Sequence, residues 1–531
     1  MAATAIEPRG EPSNARLPRA QGPVARFCSG LRISRSAFAV VFSLGLFHLF
    51  LSHRPLWHTD LWGHLAYGRV IVTNRALPAT EPLMPLSGGI PFDDLAWLSE
   101  VLGYLAFQWK GAAAIQFVYA TSIVICLGLL AYRTSRRTGT IWAALLAIVA
   151  CAWLEWQQFL IVRPQLAGLV CFICLLAYLT RKLIGGECFL VVPIVFALWA
   201  NLHGSFLIGF VMIAAFAAGR AIDLVRKKGA GIVCRDARFR RLLVLSSLAV
   251  LGTLLNPYGW EVFRAAWETA WNPNFADLVE WQPLTLKMRQ GQAAAVVAVA
   301  SIAAYWLTPR RISAAELILL VGLGVAMLRG SRMIVWWAPL AAYFLAVHSG
   351  AIWKRFQRRA LVRRTNVDPR NRLTWTLAAA VMLCIVAVCS PLGQAIIVGN
   401  ESSPRESFSA ETPLDATAYL KTHPPQGQIF NTYEWGDYLL WAGPKGLKVF
   451  VASHAHLVPR DVWLDYLRVI SLQTGWERIL DKYQTQIAVL DSVQHGDLVD
   501  SLRDSKDWSL EYEDDHSAIF VRRYGREPIG G

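Results

Sequence analysis

Eleven apolar stretches, most of them joined by short turns, constrain this chain more than any other feature. They lie at about 37–53, 112–132, 140–154, 165–180, 188–201, 204–222, 242–256, 293–307, 314–329, 332–348 and 373–398. A helix needs roughly 20 apolar residues to cross ~30 Å of hydrocarbon, and a helix satisfies all its backbone polar groups internally. The chain therefore reads as a polytopic α-helical membrane protein with about 11 transmembrane helices. Composition agrees: 55% of residues are hydrophobic and 17% charged, against roughly 25% charged in soluble domains.

The formal net charge is +15. On a soluble protein that would suggest nucleic acid, but here the basic residues sit in every second connection. The segments 133–139, 181–187, 226–241, 308–313 and 353–372 read RTSRR, RK, RKK…RDARFRR, PRR and KRFQRRALVRR. Such alternation marks cytoplasmic loops and excludes a nucleic-acid patch interleaved with aromatics. It predicts a cytoplasmic N-terminus, an extracytoplasmic C-terminus and a multi-pass protein of the cell inner (plasma) membrane. Residues 1–34, rich in Arg, Pro, Gly and Ala, read as a disordered basic cytoplasmic tail rather than a cleaved signal.

Residues 35–398 form the expected transmembrane domain, with a large first outer loop at 54–111. Residues 399–531 differ in character, with 13 Lys+Arg against 20 Asp+Glu, a net of −7. Short apolar runs (GQIFNTY, LKVFVAS, QIAVLDS, SAIFVRRY) read as strands. Residues 415–423, 462–470 and 475–483 read as helices, giving a small C-terminal α/β extracytoplasmic domain. That domain has no cysteine, so no disulfide framework is expected there. Cys171 and Cys174 have CxxC spacing but lie in an apolar helix and read as packing residues.

Polar residues at the edge of a membrane usually mark function. The first loop opens with HTDLWGHLAYGR, in which Asp60, His64 and Tyr67 share one face of a helix. This helix is expected to lie on the membrane surface with Trp57 and Trp62 at the interface. Asp60 then serves either as a general base or as the cap of its helix, for which Thr59 is equally placed. Further on, Asp93 and Asp94 are either a second acidic contributor or a helix cap. Arg163, Arg329 and Arg332 fall on the outer side, against the usual bias, as does His203. An arginine fork suits phosphate; alternatively each snorkels to headgroups or pairs with a loop acid. His454 and His456, at i, i+2 spacing near a strand end, are either metal ligands or, the preferred reading, ordinary loop histidines. No P-loop, nucleophile elbow, HExxH or clustered metal-ligand spacing is present.

The ordered set HTDLWGHLAYGR, DDLAWLSEVLGYL, RPQL, ANLHGSF, NPYGWEVF, VEWQ and FNTYEWGDYLLW resembles a family of bacterial polytopic proteins in the GT-C superfamily of membrane glycosyltransferases, and the likeness spans about 37–525. The resemblance implies a GT-C-like fold and transfer of a sugar, mannosyltransferase-like, from a polyprenyl-phosphate-linked donor on the outer face to a glycan, lipid or protein acceptor. It assigns a catalytic role to Asp60, which matches the loop acid, and to Asp94, which matches the second acidic motif. It assigns substrate or phosphate contacts to His64, Arg163, His203, Arg329 and Arg332. A single base implies inversion. No cofactor is expected, and one loop acid without a partner does not indicate a divalent metal. Two departures stand out. Relatives carry His-Glu before the Trp where this chain has Leu95-Ala96, and Asp-Gly-Arg where it has Ala452-Ser453-His454. Competing readings are a polymerase or ligase of lipid-linked oligosaccharides, a transporter, or a non-catalytic assembly protein.

Overall fold

The computed structural model describes residues 33–181, 185–359, 369–399 and 403–523. Most of the basic tail, Cys28 and much of the 353–372 connection lie outside the described residues.

Helices form at all eleven apolar stretches. Five are long and apolar enough to cross a bilayer: Arg35–Ser52, Trp97–Thr138, Phe206–Lys228, Arg289–Leu307 and Ser331–Gln357. A sixth forms if Leu373–Cys389 and Pro391–Ile397 count as one span bent by 75°. The bend falls at Ser390-Pro391, where proline lacks a donor and drives the preceding residue out of the helical region. The other five helices have 14 to 17 residues. Their outer faces carry bare apolar side chains such as Leu190, Leu251 and Val321, and Ile302 and Trp306 stand out from the helix Arg289–Leu307. Exposure on this scale calls for lipid rather than water. The helix Ser331–Gln357 is the most deeply buried of the five long spans. At its far end His348 Nε2 meets Glu316 Oε1 at 2.7 Å, and Tyr305 Oη donates to the same oxygen at 2.8 Å. This polar knot ties three helices together inside the apolar core.

The helix Trp97–Thr138 runs from the first loop into the bundle. It breaks at Lys110 and Gly111, where Gly111 takes φ 55°. The first-loop helix Leu61–Asn74 does not lie on the surface as expected. It is wedged between the start of Trp97–Thr138 and the C-terminal unit, and Trp62 is fully buried rather than interfacial. Trp62 stacks edge-on against Phe408 at 4.6 Å and Tyr438 at 5.2 Å. Two glycines allow the wedge. A Cβ on Gly63 would stand 2.7 Å from Asp437 Oδ1, and one on Gly68 would stand 2.2 Å from the Glu100 carbonyl oxygen.

The C-terminal unit holds a four-stranded sheet in the order β1-β2-β4-β3, with β1 Gln428–Asn431, β2 Thr485–Asp491, β3 Trp508–Glu513 and β4 Ser517–Arg522. β1 and β2 are parallel, and the other pairs antiparallel. The run LKVFVAS forms no ladder strand. It makes one isolated bridge through Lys448, and then the Asn431 side chain replaces the ladder, accepting from Phe450 N and donating to the Val451 carbonyl. The three expected helices form, and Tyr433–Ala442 and Gly496–Asp504 join them. First-loop residues Tyr67, Met84 and Phe92 share the core of this unit with Trp435, Phe450 and Phe520. Arg69 closes the seam, donating to the carbonyls of Leu440 and Trp441 at a helix end and lying 4.8 Å over the Trp441 ring.

Candidate functional site

Bundle, first loop and C-terminal unit meet at Asp60. The Leu61 N–H donates to the Thr59 carbonyl at 2.6 Å, and Asp60 between them holds φ 53°, ψ −60°. That is a classic γ-turn, rare for any residue other than glycine, and it costs on the order of 1–3 kcal/mol. Asp60 makes no capping bond to its helix. Its carboxylate instead accepts from Thr59 Oγ1 at 2.9 Å and from Arg163 Nη2 at 2.8 Å. Of the two sequence readings, the cap is thus excluded by geometry.

Arg163 precedes Pro164 at the mouth of the helix Gln165–Leu179. Its other terminal nitrogen donates to Glu280 Oε2 at 2.6 Å, and Arg332 Nη1 pairs with Glu280 Oε1. Ser331 Oγ fixes the Glu280 backbone carbonyl at 2.8 Å, and the Arg332 guanidinium lies 5.5 Å over the Trp281 ring. The charges alternate along the chain Asp60, Arg163, Glu280, Arg332 and sum to zero. Burial works to raise the Asp60 carboxyl, but Arg163 and Arg332 outweigh it and hold it below the usual carboxylate range. Asp60 is therefore an ionised carboxylate whose Oδ2 is held by the Thr59 hydroxyl and one terminal nitrogen of Arg163. Arg329 does not join this group: its side chain is exposed and makes no ion pair among the described residues.

His64, one turn along from Asp60, meets Glu100 Oε1 at 2.7 Å. Glu100 in turn stands close enough to Asp94 for the two carboxyl groups to act on each other electrostatically. Asp94 Oδ2 and Glu100 Oε2 are both buried without a hydrogen-bond partner. Burial and the Glu100 charge push Asp94 well above the usual range. Asp94 Oδ1 accepts from Ala96 N at 2.9 Å, and its own N–H goes to Tyr258 Oη at 2.9 Å. It makes no contact with the arginines. Glu100 lies in the first turn of the helix that follows Leu95-Ala96.

His203 Nδ1 accepts from Ser205 N at 3.1 Å. Burial first, then Arg332, His64 and Arg163, push it down to about 3, so it is a neutral imidazole beside the cations. The C-terminal unit adds Asp437, which burial and the Asp60 charge raise to about 7. Asp437 Oδ1 accepts from Ser453 N at 3.0 Å, while Oδ2 is buried without a partner. His454 packs edge-on against His64 at 4.7 Å and Tyr67 at 4.6 Å.

Thus the structure gathers Asp60, His64, Asp94, Arg163, His203 and Arg332 at one end of the bundle and leaves Arg329 outside. Sequence reasoning passed over Glu100 and Asp437, placed Glu280 only among the polar residues of the outer edge, and read His454 as a loop histidine in preference to a metal ligand. Three of them stand within the motifs DDLAWLSEVLGYL, VEWQ and FNTYEWGDYLLW. His454 occupies the Ala-Ser-His departure.

Fold and site together define a polytopic helical membrane protein with a charged cluster lying beneath a C-terminal α/β unit. No family model matches the chain, and no curated protein matches it. Among solved structures it is similar to the arabinofuranosyltransferase AftD from Mycobacteria, with TM-score 0.50 and 16% identity, over 92% of this chain and 40% of that one. It is also similar to ArnT from Cupriavidus metallidurans bound to undecaprenyl phosphate, with TM-score 0.47 and 12% identity, over 93% of this chain and 100% of that one. At these identities the likeness speaks for the fold.

Proposed function

We propose that the chain is a membrane glycosyltransferase that takes its sugar from a polyprenyl-phosphate donor and uses Asp60 as general base. The observation that carries this reading is the strained γ-turn presenting an ionised carboxylate to Arg163 beside Arg332. The acceptor hydroxyl gives its proton to Asp60 as its oxygen bonds the anomeric carbon. The bond from that carbon to the phosphate oxygen breaks, and the phosphate leaves with the electron pair. Positive charge at the departing phosphate lowers the barrier, and Arg163 and Arg332 supply it. A phosphate entering here would compete with Glu280 for both forks, so Glu280 acts as an internal placeholder for the anion. A single displacement inverts the anomeric configuration. The cluster and the C-terminal unit lie on the extracytoplasmic side of the inner membrane and the N-terminus in the cytoplasm, as the basic loops indicate. The shared fold with an arabinofuranosyltransferase supports sugar transfer, and the oriented Asp60 favours it over a polymerase or ligase that needs no such base.

Membranes carrying the wild type, incubated with labelled polyprenyl-phosphate sugars, should transfer label to an endogenous acceptor. Asp60→Asn should lower the rate by about 10²–10⁴-fold, the usual worth of a positioned base. Full transfer by Asp60→Asn would remove the base role.

A further inference from the structure

The first loop and the C-terminal unit also converge on a second constellation, separate from the Asp60–Arg163 chain. One donor atom each from His64, Glu100 and His454 lies within 4.8 Å of the other two. We propose that these three residues bind one divalent transition-metal ion of the zinc class, joining the first loop to the C-terminal unit.

Three features support this beyond proximity. Two imidazoles and one carboxylate form the ligand set of three-ligand zinc sites, which leave a fourth position open. The donors are also buried without enough partners: Glu100 is 1% exposed with Oε2 unpaired, and His454 is 6% exposed. His454 Nδ1 reaches only Ser453 Oγ, at 3.4 Å, and its Nε2 has no hydrogen bond among the described residues. The His64–Glu100 contact is the one a cation would replace.

The third feature is how rigidly the His454 loop is held. Asn431 clamps Phe450 and Val451 ahead of it, and Asp437 accepts from Ser453 N. From the membrane part, buried Asn274 donates to the carbonyls of Ala455 and Val458 at 2.7 and 2.8 Å, and Asn272 donates to that of His456 at 3.2 Å. Tyr67 packs edge-on against the His454 ring. Ligands held from behind in this way are what a metal site requires.

The test uses the purified full chain in detergent, stripped with chelator and titrated with Zn²⁺ or Co²⁺. The expected result is about one equivalent bound per chain, with Co²⁺ giving the intense visible bands of a four- or five-coordinate site. His454→Ala should weaken binding by at least about 100-fold. If that variant does not fold, the wild-type Co²⁺ spectrum still decides. Failure to retain metal, a spectrum of hydrated six-coordinate cobalt, or unchanged binding by folded His454→Ala each overturns the proposal. The readout is metal bound rather than sugar moved, so it stands or falls apart from the transferase reading.

Discussion

Gly63 of the first loop packs directly against the carboxylate of Asp437, 374 positions further along the chain, at a distance where a Cβ would stand 2.7 Å from Oδ1. The wedge of Leu61–Asn74 under the C-terminal unit depends on that contact. Gly63→Ala should destabilise the protein by about 1–3 kcal/mol, the usual cost of overpacking. Because the crowded atom belongs to a side chain, Gly63→Ala combined with Asp437→Ala should recover part of the loss. A thermal-melting double-mutant cycle checks this, and strictly additive Tm shifts would contradict it.

Gly68 faces a harder neighbour. A Cβ there would stand 2.2 Å from a backbone oxygen of Glu100, which no rotamer change can relieve. Gly68→Ala should therefore melt lower than Gly63→Ala, and no single truncation opposite it should rescue it. Equal Tm values for the two variants would refute the distinction.

The ion chain makes a prediction about charge balance. Glu280→Gln leaves Arg163 and Arg332 sharing one acid, Asp60, at a partly buried site. Removing one partner from such a pair destabilises more than the pair itself is worth. The loss should be about 1–3 kcal/mol, and Arg332→Gln added to Glu280→Gln should cost less than the sum of the two singles, as read by melting. If the double loses the full sum, the chain is not electrostatically connected.

Asp60 supplies a pH dependence. Its folded-state pKa is depressed by Arg163 and Arg332, so the unfolded chain binds its proton more readily. The stabilisation is fully present above the ordinary carboxylate value of about 3.9 and is lost as pH falls through the lower folded value. The Tm gap between wild type and Asp60→Asn should narrow as the pH falls below the ordinary carboxylate value. A gap that widened on acidification would have the wrong sign.

The C-terminal unit shares its core with Tyr67, Met84 and Phe92. Residues 403–523 expressed alone should therefore expose apolar surface and bind a hydrophobic dye, and truncation near residue 400 should leave Trp62 without Phe408 and Tyr438. A separately expressed unit that melts cooperatively and binds no dye would argue against a shared core.

What the sequence determined by itself was local and periodic. Apolar runs with alternating basic turns placed all eleven helices, because crossing lipid demands a contiguous signal. The strands at Gln428–Asn431, Thr485–Asp491 and Ser517–Arg522 were legible for the same reason, as were Asp60 and the arginines, whose polarity at a membrane edge is conspicuous. Only the tertiary structure decided their partners. Glu280 pairs with Arg163 across 117 positions, and Glu100 meets His64 across 36. Nothing in local spacing encodes such distances. LKVFVAS had the pattern of a strand, but one buried side chain, Asn431, took over its hydrogen bonds. Trp62 had the look of an interfacial anchor until two glycines let its helix sink beneath the C-terminal unit. Long-range packing, which no window of sequence contains, thus turned a row of polar residues into one charged site with a second cluster, His64, Glu100 and His454, beside it.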